Sequence, residues 1–251
     1  MNQKIFGLHA VKQIFNTDIS SILEIWVQQN SKNLQDLIKD AQQHGIPIQT
    51  VAKKSLDKLS ENGHHQGIII NYRVPPTPSL EQILKSLKVS PFLLILDEIQ
   101  DPHNLGACLR TADAAGVHAV IIPKNKACKL TPTVRKIASG AAENIPLIEV
   151  TNLVRTLNWL QKQGIWIIGT DDYSKTSIFE SKLTGPLAIV MGAEGEGLRR
   201  LTKENCDSLV SIPMLGKIES LNVSVATGIC LYEVVRQTKG KVSKFKDLTG
   251  F

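Results

Sequence analysis

Apolar positions along the chain follow two periods that take turns. In residues 6–72, segments with helical spacing (HAVKQIF, NLQDLIKDAQQHG and KSLDKLS) alternate with strand-like segments (LEIWVQ, IPIQTV and GIIINY). The pattern predicts a small α/β unit over residues 1–72, its second helix closed by Gly45 with Pro47 just beyond. Residues 73–79, RVPPTPS, carry three prolines. Proline forbids a helix interior and disfavours a central strand, so this stretch predicts an extended linker, with a leading helix over 80–88.

A second unit follows over 89–237. The runs PFLLILD, HAVII, PLIEV, IWIIGT, LAIVM and SLVSI read as buried strands separated by helical stretches, and such alternation implies a mainly parallel sheet in an α/β fold. Three of its segments share one form, a strand, a loop and then a helix. Residues 93–96 run into DEIQDPHNLGACLRTADAAG, 187–191 into GAEGEGLRR, and 208–212 into PMLGKIESLNVSVATG. In the first, Leu105, Cys108, Leu109 and Ala112 recur at helical spacing and Arg110 lies off that stripe. Gly106, one turn earlier, leaves room for a ligand to approach the guanidinium. Asp113 either holds Arg110 in place or forms an ordinary surface pair with it.

In the third segment Ser220 is the expected N-cap and Asn222 falls in the first turn. The helix over 221–237 is apolar on more than one side, which predicts burial and a face for a second copy of the chain. Its N-terminus is either a capped core helix or a seat for an anionic or strongly polar ligand. Gly169, Thr170 and Asp171 end a strand, where ligands gather in open parallel sheets, and are pocket candidates. GAEGEG lacks both the Lys-Ser/Thr of a phosphate-binding loop and the G-x-G-x-x-G spacing, which excludes a nucleotide-triphosphate or dinucleotide site there.

Composition narrows the classes. With 42% hydrophobic and 21% charged residues, and no apolar run near the roughly 18 residues a membrane span needs, the chain reads as globular and not membrane-embedded. MNQKIFGLHAVKQIF has no secretory pattern, which points to the cytoplasm. Cys108, Cys128, Cys206 and Cys230 stand far apart with no ligand spacing, so reduced thiols and no metal are expected. His64 and His65 read as loop histidines that at most touch RNA. The net charge of +6 favours a polyanionic partner. The basic tail at 238–251 is either an unstructured terminus or an auxiliary RNA contact.

Together the three segments resemble the SpoU (TrmH) branch of the SPOUT RNA ribose methyltransferases. The likeness rests on Asn104 with Arg110, on the Gly-Ala-Glu loop at Gly192 and Glu194, and on Ser220-Leu221-Asn222 followed by Val-Ser-Val-Ala. GLHAV near the amino terminus and HHQG at His64 resemble the L30e-like RNA-binding extension of the family's ribosomal members. The resemblance implies S-adenosylmethionine as methyl donor, a deep trefoil knot, and a homodimer with a shared site. It implies methylation of the ribose 2′-hydroxyl of a guanosine in the peptidyl-transferase loop of 23S ribosomal RNA. It also carries over Asn104, Arg110, Glu194, Ser220 and Asn222 as the catalytic set, with Gly169, Thr170, Gly192, Ile212 and Leu221 around the donor. The alternatives are a transfer-RNA ribose methyltransferase of the same family and a noncatalytic RNA-binding assembly factor on the same fold.

Overall fold

The computed structural model describes residues 2–29, 31–61, 63–73, 78–193 and 195–239. The chain divides into two compact units, Met1–Pro76 and Thr77–Phe251. Most of the proline-rich stretch (74–77), Glu194 and most of the basic tail (240–251) lie outside the described residues.

The first unit contains β1 (Asn2–Phe6), α1 (Leu8–Asp18), β2 (Ile22–Gln28), α2 (Gln35–Gln43), β3 (Ile48–Val51), α3 (Lys53–Leu59) and β4 (Ile68–Arg73). Its sheet has the order β1-β4-β2-β3, with β4 antiparallel to both neighbours and β2 parallel to β3. Ile68, Ile69 and Ile70 are fully buried, and Ile68 and Ile70 pack with Val11 and Phe15 of α1 and Ile25 and Val27 of β2. Arg73 belongs to β4 and not to a linker. The two segments that carry the resemblance meet, because the Leu8 N–H donates to Gln66 Oε1 at 2.7 Å. His65 is buried. Its Nδ1 accepts from the Gly67 N–H at 2.9 Å and therefore carries no proton, so Nε2–H donates to Asp57 Oδ1 at 3.0 Å. Asp57 belongs to α3, and burial with this contact turns His65 into a bracket for the strand entry, whereas His64 is exposed.

The second unit runs through α4 (Leu80–Ser86), β5 (Phe92–Leu96), α5 (Pro102–Ala115), β6 (Ala119–Pro123), α6 (Pro132–Ala138), α7 (Ala141–Asn144), β7 (Leu147–Val150), α8 (Leu153–Lys162), β8 (Trp166–Thr170), β9 (Leu187–Met191), α9 (Arg200–Glu204), β10 (Ser208–Val210) and α10 (Val223–Lys239). The six strands, ordered β10-β8-β9-β5-β6-β7, are all parallel to their neighbours. Alternate residues of β5 serve opposite faces. Leu94 and Leu96 pack towards α5 and α10, while Leu93 and Ile95 pack with α4 and α8, which is why the strand reads as an unbroken apolar run. Ser79 and Gln82 form a capping box that starts α4, and the helix ends at Ser86, short of the expected residue 88. The strand expected over 208–212 is shorter too, since beyond Val210 only Ser211 makes a bridge, to Ser177.

Helix α5 packs closely on α6. A Cβ at Gly106 would lie 2.7 Å from Ile137 Cβ and 3.0 Å from the Val134 carbonyl oxygen. The missing side chain is thus filled by a neighbouring helix, which corrects the expectation of room for a ligand. Asp113 likewise does not hold Arg110; it accepts from Asn144 Nδ2 of α7.

Candidate active site

A cavity of about 720 Å³ opens at the carboxyl ends of β8, β9 and β10, where chain direction and helix packing leave a crevice in parallel sheets. Thr170, Gly192, Ile212, Leu221, Ser220 and Asn222 line it, so six of the expected residues converge there although they span 53 positions of sequence. Met191 and Val210 add apolar wall, and Asp171 and Lys203 add charge. A second concavity of similar volume runs beside β7 between α4 and α8, away from these strand ends.

Asn222, not Ser220, caps the last helix. Its Oδ1 accepts from the Ser224 N–H at 3.0 Å and its carbonyl from the Ala226 N–H at 3.0 Å, whereas Ser220 sits in the preceding loop. Two capping residue types within three positions left the sequence ambiguous, and the chain turns helical only after the second. The same side chain reaches across the fold, with Asn222 Nδ2 donating to Asn104 Oδ1 at 3.0 Å. Asn104 is buried in the first turn of α5, which Asp101 caps by accepting from the N–H groups of His103 and Asn104 at 3.2 Å. The Asn222–Asn104 bond fastens the first turn of α5 to the start of α10; Asn222 lines the crevice, whereas Asn104 lies outside its lining, and the N–H groups of His103, Asn104 and Leu105 are already taken by Asp101.

Arg110 stands six residues further along α5, or about 9 Å up the helix axis. It is exposed and is not among the residues lining the cavity, and no hydrogen bond or ion pair holds it among the described residues. Gly169 also lies outside the lining. A Cβ there would meet Cys206 Sγ at 2.7 Å and Leu198 Cδ1 at 2.8 Å, so this glycine seats the segment around α9 behind the cavity wall. At Gly192 a Cβ would fall 2.1 Å from the Gly197 carbonyl carbon. That close approach lets the loop double back, with Ala193 and Gly197 exchanging backbone hydrogen bonds at 3.1 and 2.9 Å.

Sequence reading missed a charged cluster beside this loop. Asp97, fully buried at the end of β5, accepts from Arg199 Nε at 2.8 Å and pairs with Nη2 at 2.6 Å, while Arg199 Nη1 lies 3.0 Å from Glu98 Oε1. Burial works against the Arg199 charge, but the hydrogen bond to Asp97 and the two carboxylates outweigh it and raise its pKa above the usual value. One turn on, Lys203 Nζ sits 2.6 Å from Asp171 Oδ2. The available signal was a pair of acids, Asp97 and Glu98, directly after an apolar strand, since a buried carboxylate demands a partner.

Comparison with known proteins fits this geometry. The model of the SpoU rRNA methylase family matches residues 91–232, and that of the RNA 2′-O ribose methyltransferase substrate-binding domain matches residues 4–77. The chain is 54% identical over 243 residues to the 23S rRNA (guanosine-2′-O-)-methyltransferase RlmB of Photobacterium profundum, covering 94% of this chain and 98% of the relative. It is 51% identical over 242 residues to the protein of that name from Escherichia coli, covering 94% and 99%. The solved SpoU methyltransferase AviRb of Streptomyces viridochromogenes in complex with AdoMet shares the fold with a TM-score of 0.76 at 22% identity, over 94% of this chain and 90% of that one. Among the described residues no cluster of three potential metal ligands occurs, and no helix is long and apolar enough to cross a membrane.

Proposed function

The chain belongs to the SpoU rRNA methylase family, and from that premise we propose that it methylates the ribose 2′-hydroxyl of a guanosine in 23S ribosomal RNA, with S-adenosylmethionine as donor. The observation that carries the reading is the crevice at the ends of β8, β9 and β10, lined by Asn222, whose side chain is held by Asn104 behind it.

The cavity suits the donor. Its volume falls within the roughly 300–1,000 Å³ usual for small-molecule sites. Met191, Val210, Ile212 and Leu221 offer apolar contact to an adenine, and the backbone of 192–193, 195–198 and 211–212 offers groups that read its edge. The bound sulfonium would supply an electrophilic methyl group to the 2′-oxygen, with the carbon–sulfur bond broken and the hydroxyl proton lost. Asn104 orients Asn222 and with it the start of α10 that faces the crevice, and Leu221 with Ile212 excludes water. Holding the reacting atoms in line is worth up to about 7–11 kcal/mol in favourable cases. Glu194, outside the described residues, stays in the proposed catalytic set, as does Ser220 on the cavity wall.

Arg110 enters this scheme through a homodimer. Val225 and Tyr232 on the outer face of α10, and Leu215 and Ile218 in the loop before it, leave large apolar surface exposed. We take a second copy to cover it and the site to be completed between subunits, with Arg110 stabilising the developing alkoxide and a nearby phosphate. A guanidinium offers hydrogen-bond donors and no acceptor, so the proton leaves to a neighbour or water. The first unit is proposed as an L30e-like substrate-binding domain, the second as the knotted form of the fold, and the cytoplasm as the compartment.

Single-turnover methylation of 23S RNA tests the reading. Arg110→Ala should slow the reaction by roughly 10²-fold or more with little change in donor affinity. Arg110→Lys keeps the charge but loses the planar fork, and partial activity there would assign a field effect. A wild-type rate for Arg110→Ala with donor and RNA saturating would remove the arginine from the mechanism.

A further inference from the structure

Residues 192–193 and 195–198 line the cavity on one side, and Ala193 and Gly197 close on each other. What fixes this segment to the sheet is its exit. Arg199 follows at once, and both its backbone and its side chain go to β5. Its N–H lies 3.3 Å from Asp97 Oδ2, its Nε and Nη2 are at 2.8 and 2.6 Å from Asp97 Oδ1, and its Nη1 is at 3.0 Å from Glu98 Oε1. Lys203 then reaches Asp171 at the end of β8. Because β9 lies between β5 and β8, helix α9 is tied to both neighbours of the strand that feeds the loop. The β5 tie is the guarded one. Asp97 is shielded from water on every side, and Glu98 has a left-handed backbone at φ 63, a conformation that a non-glycine residue keeps only when its surroundings hold it. The Asp171 carboxylate is the most open of these acids, while Arg199 and Lys203 are both partly in solvent.

We propose that Arg199 is a positioning residue for the donor: through Asp97 and Glu98 it holds the cavity-lining residues 195–198 in their binding shape before the donor arrives. This rests on the reading of the cavity as the donor site. A site already in its binding shape spends none of its interaction energy on ordering itself, so loosening the pin lowers the fraction of competent protein and weakens binding by that fraction. The donor, once bound, restores the loop, and the chemical step is spared.

The test compares full-length wild type with Arg199→Lys, Asp97→Asn and, as a control on the same helix, Arg200→Met, which breaks only the exposed Arg200–Glu204 pair. Calorimetry with S-adenosylmethionine should give a Kd raised about tenfold or more in the first two, while their single-turnover rates at saturating donor stay within about threefold of wild type. Arg200→Met should match wild type in both. A role in stability alone would lower the melting temperature and leave the Kd of the folded protein unchanged. A Kd within about twofold of wild type in both pin variants overturns the inference and leaves the donor site standing. Failure of both conservative variants to fold makes the pair a folding element and also overturns it. Absence of binding by wild type removes the donor-site reading, and the inference with it.

Discussion

Cys206 sits against Gly169 behind the cavity wall, and its thiol is pushed up to about 12 by burial, with Asp207 and Asp97 adding to the effect. Burial alone takes Cys230 to about 12. Since the thiolate is the nucleophile, only about one molecule in 10⁴ is reactive at either position at pH 8. Iodoacetamide on the native protein at pH 8 should therefore leave both unmodified by peptide mass spectrometry, and each unit rise in pH below 12 should speed their alkylation about tenfold while the fold persists. Labelling of Cys206 at the rate of a free thiol would contradict the burial described. At this scale the sequence was only partly legible. Asn104 and Asn222 could be singled out, but their bond spans 118 residues and no spacing rule announces it. Asp97 visibly needed a cation, yet Arg199, Arg200 and Lys203 all stood within reach of a guess, and the choice among them is made by the turn of the loop.

Helix α5 shows how an element constrains a single position. Alanine is favoured over glycine in a helix by about 1 kcal/mol, so in isolation Gly106→Ala would stabilise. Against α6 the new methyl meets Ile137 at 2.7 Å, and overpacking of this kind costs about 1–3 kcal/mol. The net effect should be destabilising, seen as a melting temperature lowered by a few degrees, and Ile137→Ala in the same chain should recover part of the loss, a coupling that a double-mutant cycle measures. If Gly106→Ala melts at or above the wild-type temperature, the helices are not as close as described. The buried strands of the second unit were legible because parallel strands covered on both faces must be apolar throughout. β1 was not, because its residues NQKIF are almost all exposed and lie at a sheet edge where little side-chain burial is asked of them. α9, five residues of mainly polar sequence, left no periodicity to read.

For the molecule as a whole, two expectations can be separated by where the chain is cut and what it weighs. Removing residues 1–76 keeps Ser79 and so the capping box of α4, and should leave a folded protein that binds S-adenosylmethionine but methylates 23S RNA poorly; full activity would deny the first unit its role. Light scattering at micromolar concentration should give twice the chain mass, and Val225→Glu with Tyr232→Glu should halve it by placing charge on the apolar face. The two-unit division and the parallel sheet could be anticipated from alternating patterns; the apolar sides of α10 could be read too, but not which of them faces the core and which is left exposed, since an apolar side reads the same in either place. The bond between Asn104 and Asn222 also has a history in time. Its two ends leave the ribosome 118 residues apart, and at about 5–20 residues per second the first waits roughly 6–24 s for the second. Through that interval the nascent chain holds the first unit and an α5 whose partner helix does not yet exist, so the crevice cannot be assembled until the chain has passed Asn222.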